Sequence, residues 1–408
     1  MKKALLVGYG GGHITMIEPV ARQLESRGVG CVVMALTTGF LKARQLGLHP
    51  LGYRDFAHLV DAPEQVLDWG RKLAGENTHP NVSLEESQWY LGVNYAQWVR
   101  DLGEEAAARQ YRKLGRRGFH PLDFMTAVVR EVRPDVVVTT NSPRTEAAAV
   151  EAARRLGIPT LSMTDLPLDA SDPYCRRAVH ADRITVLSDR VKQALTTAGI
   201  PAHRLAVTGN PAFDTLCSPD IRRQADELRA RLGWASKRVI LFAGHAEESR
   251  AAPPVWQAQG FGSVLQRWLA QWVYDHPGEA AMVRYHPSES HLYPAMPASE
   301  RLYRSEPSHE ALHPVLLASD IVLVQTSTVG LEAALAGRRV LCLKFAPSVR
   351  EASYNFADMG LAEGITSMQD LGRALSESGS GFRVNSADFH VGAAAAKVTD
   401  EILALLAP

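Results

Sequence analysis

The chain has 408 residues, 46% hydrophobic and 22% charged, with Lys+Arg and Asp+Glu equal at 44 each; this globular composition is long enough for two domains of roughly 200 residues each. Without a basic surplus the phosphate term that dominates nucleic-acid affinity is forfeited, which argues against a nucleic-acid partner. Cys31, Cys175, Cys217 and Cys342 show neither CxxC nor Cys/His ligand spacing, so they read as small buried hydrophobes of a reducing compartment, not as a disulfide framework or a zinc site.

In chain order, "KALLVGY" has the short apolar run of a buried strand and "MIEPVARQLESRG" the spacing of a helix, followed by a second strand, "VGCVVMAL". The first run is broken at Gly8, short of a signal-peptide core. No run approaches the roughly 20 apolar residues of a membrane helix, and a soluble, cytoplasmic protein is expected. Between strand and helix stands "GYGGGHITM". It completes neither the Rossmann GxGxxG, whose third glycine would replace His13, nor the P-loop, whose Lys-Ser/Thr is missing. A nicotinamide site is therefore disfavoured. What remains is a loop without side chains at Gly11 and Gly12, opening a helix N-terminus that favours negative charge. His13 in that mouth is a candidate base or hydrogen-bond donor, and the positive helix end should keep its imidazole neutral. A tight strand-to-helix turn would also account for the glycines.

The stretch at about 53–119 breaks the alternation and reads as a mostly helical insertion. Arg109, Arg112, Lys113, Arg116 and Arg117 recur there at helical spacing near Trp89, Tyr90, Tyr95 and Trp98. They make either a solvated face or an acceptor platform, with aromatics stacking on sugar rings beside a basic, phosphate- or membrane-facing surface. The strands "RPDVVVTT", "IPTLSMTD" and "DRITVLSD" resume the series, with the helix "RTEAAAVEAARRLG" after the first. "RLAVTGNPAFDTL" lies where the chain crosses into a second series: "KRVILFAG", "AAMVRYHP", "DIVLVQTS" and "RRVLCLKF". The expectation is an α/β protein with two Rossmann-like, doubly wound domains facing a cleft, residues 1–205 and 206–408. The last helical run, "VGAAAAKVTDEILALLA", closes the second domain or crosses back onto the first.

In the second series the candidate residues fall at strand ends. "LFAGHAEESR" places Gly244 and His245 at one such end. "MVRYHPSES" puts Arg284 and His286 on one face of a strand that Pro287 terminates, a cation and an imidazole suited to phosphate oxygens. In "LVQTSTVGLEAALAG" the hydroxyls of Thr326, Ser327 and Thr328 precede a helix that carries Glu332 one turn in. They could hold a diphosphate while Glu332 reaches ribose hydroxyls; helix capping and a partly exposed acid would explain them without a ligand.

These residues resemble the GT-B fold of nucleotide-sugar enzymes. "GGGHITM" resembles the Gly-Gly-x-Gly-Gly-His loop of the N-acetylglucosaminyltransferase that makes lipid II and the Gly-x-Gly-His loop of the nucleotide-sugar hydrolase of pseudaminic acid synthesis. "TSTVGLEAALAGRRVLCLKF" with "REASYNFADMG" is similar to the donor-binding segment of the first, where a Glu contacts ribose; the resemblance gives that role to Glu332. "VTGNPAFDTL", "AGHAEES" and "YHPSE" are similar to hydrolysing UDP-N-acetylglucosamine 2-epimerases, and "RYHP" with "TST" to polyol-phosphate and CMP-sugar transferases of capsule pathways. The acidic residues by which the epimerases eliminate and return a proton are mostly missing. Their places read "TTNSPRTE" and "SMTDLPLD", with Asp165 alone.

An inverting transferase needs less: one base and a stabilised leaving group. The expectation is a metal-independent glycosyltransferase with no cofactor, moving a sugar from a nucleotide-activated donor, UDP-linked first and CMP-linked second, to a glycan, lipid-linked or protein acceptor. His13 would be the base, with Asp165 or Glu18 as alternatives. An epimerase or hydrolase of the same donor is the alternative activity; a peripheral membrane contact and a homodimer are left open.

Overall fold

The structure, a computed structural model, describes residues 1–75, 82–165, 181–245, 260–285, 289, 295–307, 309–352, 355–377, 389 and 391–407. The chain divides into two units, Met1–Asp214 with Ala393–Pro408, and Thr215–Gly392.

The first unit is built on a parallel sheet of order β2-β1-β3-β4-β5-β6, comprising β1 (Lys3–Tyr9), β2 (Gly30–Leu36), β3 (Val136–Thr140), β4 (Thr160–Met163), β5 (Arg183–Val186) and β6 (Leu205–Val207). The order runs outward in both directions from the β1/β3 pair, and at such a reversal the strand ends leave room for a ligand. β1 reads as a continuous apolar run because it is covered on both faces. Helix Gly11–Ser26 buries Ile14, Ile17, Val20, Ala21 and Leu24, the three-and-four spacing of one stripe. The same core takes up Ala395, Val398 and Ile402 of the last helix, Ala394–Leu406. That helix is capped by Asp214, whose two carboxylate oxygens accept the N–H groups of Ala394 and Ala395 at 2.9 and 2.8 Å. The unit runs past residue 205 because Leu205–Val207 adds its sixth strand.

The opposite face is covered by the insertion, where helices Pro63–Ala74 and Leu84–Leu102 cross backbone to backbone. A Cβ on Gly70 would lie 1.9 Å from the Gln88 carbonyl oxygen and one on Gly92 2.1 Å from that of Val66, so no side chain fits at either position. The insertion's aromatics do not make an acceptor platform. Trp89, Tyr90, Tyr95 and Trp98 are buried among Tyr53, Tyr111 and Phe119, because helix Leu84–Leu102 is enclosed on most sides and spends its rings on the core. The exposed cations Arg109, Arg112, Lys113, Arg116 and Arg117 therefore form a face without them.

The second unit repeats the plan with order β12-β11-β10-β7-β8-β9, again all parallel: β7 (Arg238–Gly244), β8 (Glu279–Tyr285), β9 (Leu302–Ser305), β10 (Ile321–Val324), β11 (Arg339–Leu343) and β12 (Glu363–Ile365). The edge strands β6, β9 and β12, of three or four residues, are those the sequence pattern does not reveal. Cys342 is buried, Cys31 half-buried and Cys217 exposed, so burial does not describe all the thiols; Cys175 lies outside the described residues.

The enclosure of the insertion's rings has a measurable consequence. Trp98, whose ring centroid lies 5.1 Å from that of Phe119, should cost ~3–5 kcal/mol of unfolding free energy in urea when replaced by Ala. A loss below about 1 kcal/mol would mean that the ring is not core.

Candidate functional site

In the first unit the candidate residues meet at the carboxyl ends of β1, β3 and β4. The turn after β1 uses two of its glycines for folding. A Cβ on Gly8 would fall 2.5 Å from Ile17 Cδ1, and Gly10, at φ +87°, occupies a conformation that L side chains rarely adopt. Gly11 and Gly12 are different. A Cβ at Gly11 would make ordinary contact with Lys42 at 3.8 Å, and one at Gly12 would meet nothing within 4 Å. Neither packing nor backbone requires a glycine there, although glycine costs a helix about 1 kcal/mol relative to alanine.

His13 follows on the first turn of helix Gly11–Ser26. Its Nδ1 lies 2.9 Å from Thr140 Oγ1 at the end of β3 and 3.6 Å from Glu146 Oε1; its Nε2 lies 3.4 Å from Asp165 Oδ2, just beyond β4. Glu146 stands in the first turn of helix Thr145–Arg155 with no solvent exposure. Burial alone would lower the imidazole's pKa, but Asp165 and Glu146 outweigh it and raise the value to about 9. His13 is thus an imidazolium at neutral pH, not the neutral base expected from its helix end. Two carboxylates within 4 Å outweigh the roughly half charge of a helix terminus. With the ring charged, Nδ1–H donates to Thr140 Oγ1, whose O–H donates to Glu146 Oε1 at 3.3 Å. Glu18, the other acid considered as base, is ion-paired with Arg22 one turn on.

Glu146 was missed because it reads as an acid of the solvated helix "RTEAAAVEAARRLG". The sequence nevertheless carries a signal there, the one Glu332 also has: an acid in the first turn of an alanine-rich helix that follows a buried strand.

In the second unit Gly244 closes β7 where a Cβ would sit 2.2 Å from the Phe242 ring and 2.3 Å from Gln325 Oε1, so packing requires its glycine. Gln325, buried at the end of β10, accepts the His245 N–H at 2.7 Å and joins the two strand ends; its polar letter after "IVLV" was its only signal. His245 Nδ1 also stands 3.5 Å from Glu289 Oε1. The Arg284 guanidinium donates to Ser305 Oγ at 2.7 Å and to the Glu310 carbonyl at 2.9 Å, and burial lowers its pKa. Glu332 Oε2 is 2.8 Å from His313 Nε2, and His313 Nδ1 is 2.5 Å from Thr215 Oγ1. His313 carried no motif. Ser327 Oγ accepts the Val329 N–H at 3.4 Å, and Thr326 and Thr328 flank it before helix Val329–Leu335. His286 lies outside the described residues. Among the described residues no ion pair joins Arg284 to Glu332, and no group of three or more His, Cys, Asp or Glu side chains is arranged to hold a metal ion. Among them, too, no helix is long and apolar enough to cross a membrane.

No family model and no curated protein matches the chain. Solved structures do. The UDP-GlcNAc 2-epimerase of Neisseria meningitidis, bound to UDP-GlcNAc, superposes with a TM-score of 0.62 at 18% identity, covering 98% of this chain and 100% of that one. The UDP-GlcNAc 2-epimerase of Methanocaldococcus jannaschii, in complex with UDP-GlcNAc and UDP, gives 0.61 at 14%, covering 99% and 100%. MurG of Acinetobacter baumannii gives 0.51 at 15%, again covering 99% and 100%. With two parallel six-stranded sheets and flanking helices, the chain has the Rossmann-like two-domain architecture called GT-B.

The His13 cluster should show in stability. The folded protein holds the His13 proton up to pH about 9, while an unfolded histidine releases it near 6.5. The contribution is complete below pH 6.5 and lost as pH rises toward 9. Urea unfolding should therefore show roughly 1–3 kcal/mol falling away between pH 6.5 and 9 in the native protein but not in His13→Gln. Parallel pH profiles for the two proteins would refute the shift.

Proposed function

We propose that the protein is a metal-independent glycosyltransferase that takes a sugar from a nucleotide-activated donor, UDP-linked by first choice. The observation that carries the reading is the pairing of His13 Nε2 with Asp165 at 3.4 Å beside the Gly11–Gly12 backbone. The acceptor hydroxyl lies against that backbone, and the Asp165 carboxylate takes its proton as the oxygen attacks the anomeric carbon from the face opposite the leaving nucleotide. Imidazolium His13 orients the Asp165 carboxylate, which carries the proton after transfer, with Thr140 and Glu146 fixing the ring. In the second unit Ser327, Thr328 and the Arg284 region hold the departing diphosphate, and Glu332, set by His313, accepts ribose hydroxyls. The superposable structures that carry UDP-GlcNAc or UDP support a nucleotide-sugar substrate.

One observation favours a second reading. Glu146 joins Asp165 on the other side of His13, so the first unit carries two carboxylates and a proton carrier where the sequence offered Asp165 alone. Such a set suits a hydrolysing 2-epimerase, which eliminates the nucleotide and returns a proton to the sugar.

Incubation with UDP-GlcNAc alone, followed by NMR, separates the two. A transferase leaves the donor intact until an acceptor is supplied, whereas an epimerase or hydrolase releases UDP and free sugar without one. Once turnover is established, Asp165→Asn should lower kcat by ~100- to 10,000-fold with UDP affinity unchanged. The native rate should fall as pH rises through about 9, where His13 loses its charge; a rate that climbs toward pH 9 would make neutral His13 the base. Glu332→Ala should weaken UDP binding by ~1–3 kcal/mol without changing the fold, and unchanged affinity would remove Glu332 from the donor site.

A further inference from the structure

Among the described residues, six buried side-chain polar atoms of the first unit have no partner: Asn141 Nδ2, Ser142 Oγ, Arg144 Nε, Glu146 Oε2, Tyr90 Oη and Asn94 Oδ1. Folded proteins leave few such atoms, because each forfeits the hydrogen bonds it made in water. Three of the six are donors on one loop, residues 141–144, between β3 and helix Thr145–Arg155. Asn141 and Ser142 are each 8% exposed. Loose packing does not explain them, because the loop is tied at both ends. Thr140 Oγ1 is bonded to His13 on one side, and Thr145 Oγ1 lies 2.7 Å from Tyr53 Oη on the other.

Arg144 adds charge. Its guanidinium carbon stands 3.8 Å above the centroid of Tyr9, the last residue of β1, which fixes the head group beside the Gly10–Gly12 turn. Glu146 is matched by His13 at 3.6 Å, whereas among the described residues no carboxylate lies within 4 Å of Arg144.

From this loop we infer that the first unit binds an oxyanion, a carboxylate or a phosphate, through Arg144, Asn141 and Ser142, and that the substrate accepted there is an acidic one. The inference rests on the acceptor role proposed above for the first unit and names the class of acceptor: a glycan or glycoside bearing a negative group close to the reacting hydroxyl. The chemistry of the donors supports it. A guanidinium fork, an amide NH2 and a hydroxyl offer several N–H and O–H groups to an anion with two or three acceptor oxygens, and a neutral sugar hydroxyl could not use them all.

Binding measured by calorimetry on the full chain tests this without turnover. Glucuronate and inorganic phosphate are titrated separately, with glucose as the neutral control and UDP as the donor probe. Expected is saturable binding of at least one anion, none of glucose, and weakening by about tenfold or more in Arg144→Gln and in Ser142→Ala, with UDP affinity unchanged in both. Glucuronate without phosphate identifies a carboxylate acceptor, and the reverse a phosphorylated one. Ser142→Ala removes an orphaned hydroxyl, so its melting temperature should equal or exceed the native one; a marked fall would make Ser142 structural and overturn its role. If UDP binds but neither anion does, or if anion binding survives both substitutions, the acidic-acceptor inference fails while the nucleotide-sugar reading stands. If the anion binds through Arg144 and UDP does not bind, the nucleotide-sugar reading fails and the oxyanion site stands.

Discussion

One imidazolium ties three strand ends together. His13 is presented by the helix after β1, contacts the hydroxyl that ends β3, and faces the carboxylate just beyond β4. Each of those loops contributes to holding a charge that burial alone would expel. The constraint acts in both directions. The strand order must bring β1 beside β3 and β3 beside β4, and Thr140 at the end of β3, Glu146 in the next helix and Asp165 beyond β4 must all face the ring for the proton to stay. The glycine turn, the enclosed insertion and the last helix all serve this edge: the turn leaves it open, and the two helical layers hold the sheet's faces.

The second unit repeats the architecture with a different polar economy. The ends of β7 and β10 are joined by the neutral Gln325, while His313, on helix Leu312–Leu317, stands between Glu332 of helix Val329–Leu335 and Thr215. Charges are distributed in pairs instead of being concentrated on one ring.

How much was legible beforehand follows from the range of the forces involved. The central strands are readable because burial on both faces makes each a continuous apolar run; β6, β9 and β12 lie at sheet edges with only one buried residue each, so no such run marks them. The insertion's helices were legible but their direction was not. Helix Leu84–Leu102 buries Asn94 and Gln97 along with its rings, and those polar letters give it the look of a solvated element. His13 and Asp165 could be singled out because strand ends are where ligands meet open sheets. The charge on His13 could not. It depends on Glu146 and Asp165, far along the chain from residue 13, and proximity of that kind exists only after the sheet has formed.

The cap on the last helix bears on the order in which the molecule is completed. Asp214, where the chain leaves the first unit, binds the N–H groups of Ala394 and Ala395, where it returns. The whole of Thr215–Gly392 is thus a loop whose two ends are fastened by one carboxylate. On a ribosome, everything from β1 to β12 emerges before that helix does. Until then Ile14, Val20 and Leu24 lack the cover of Val398 and Ile402. The first unit is thus synthesised in two parts, one before and one after the second unit, and a nascent chain stalled before residue 394 would present a bare apolar stripe to any chaperone within reach.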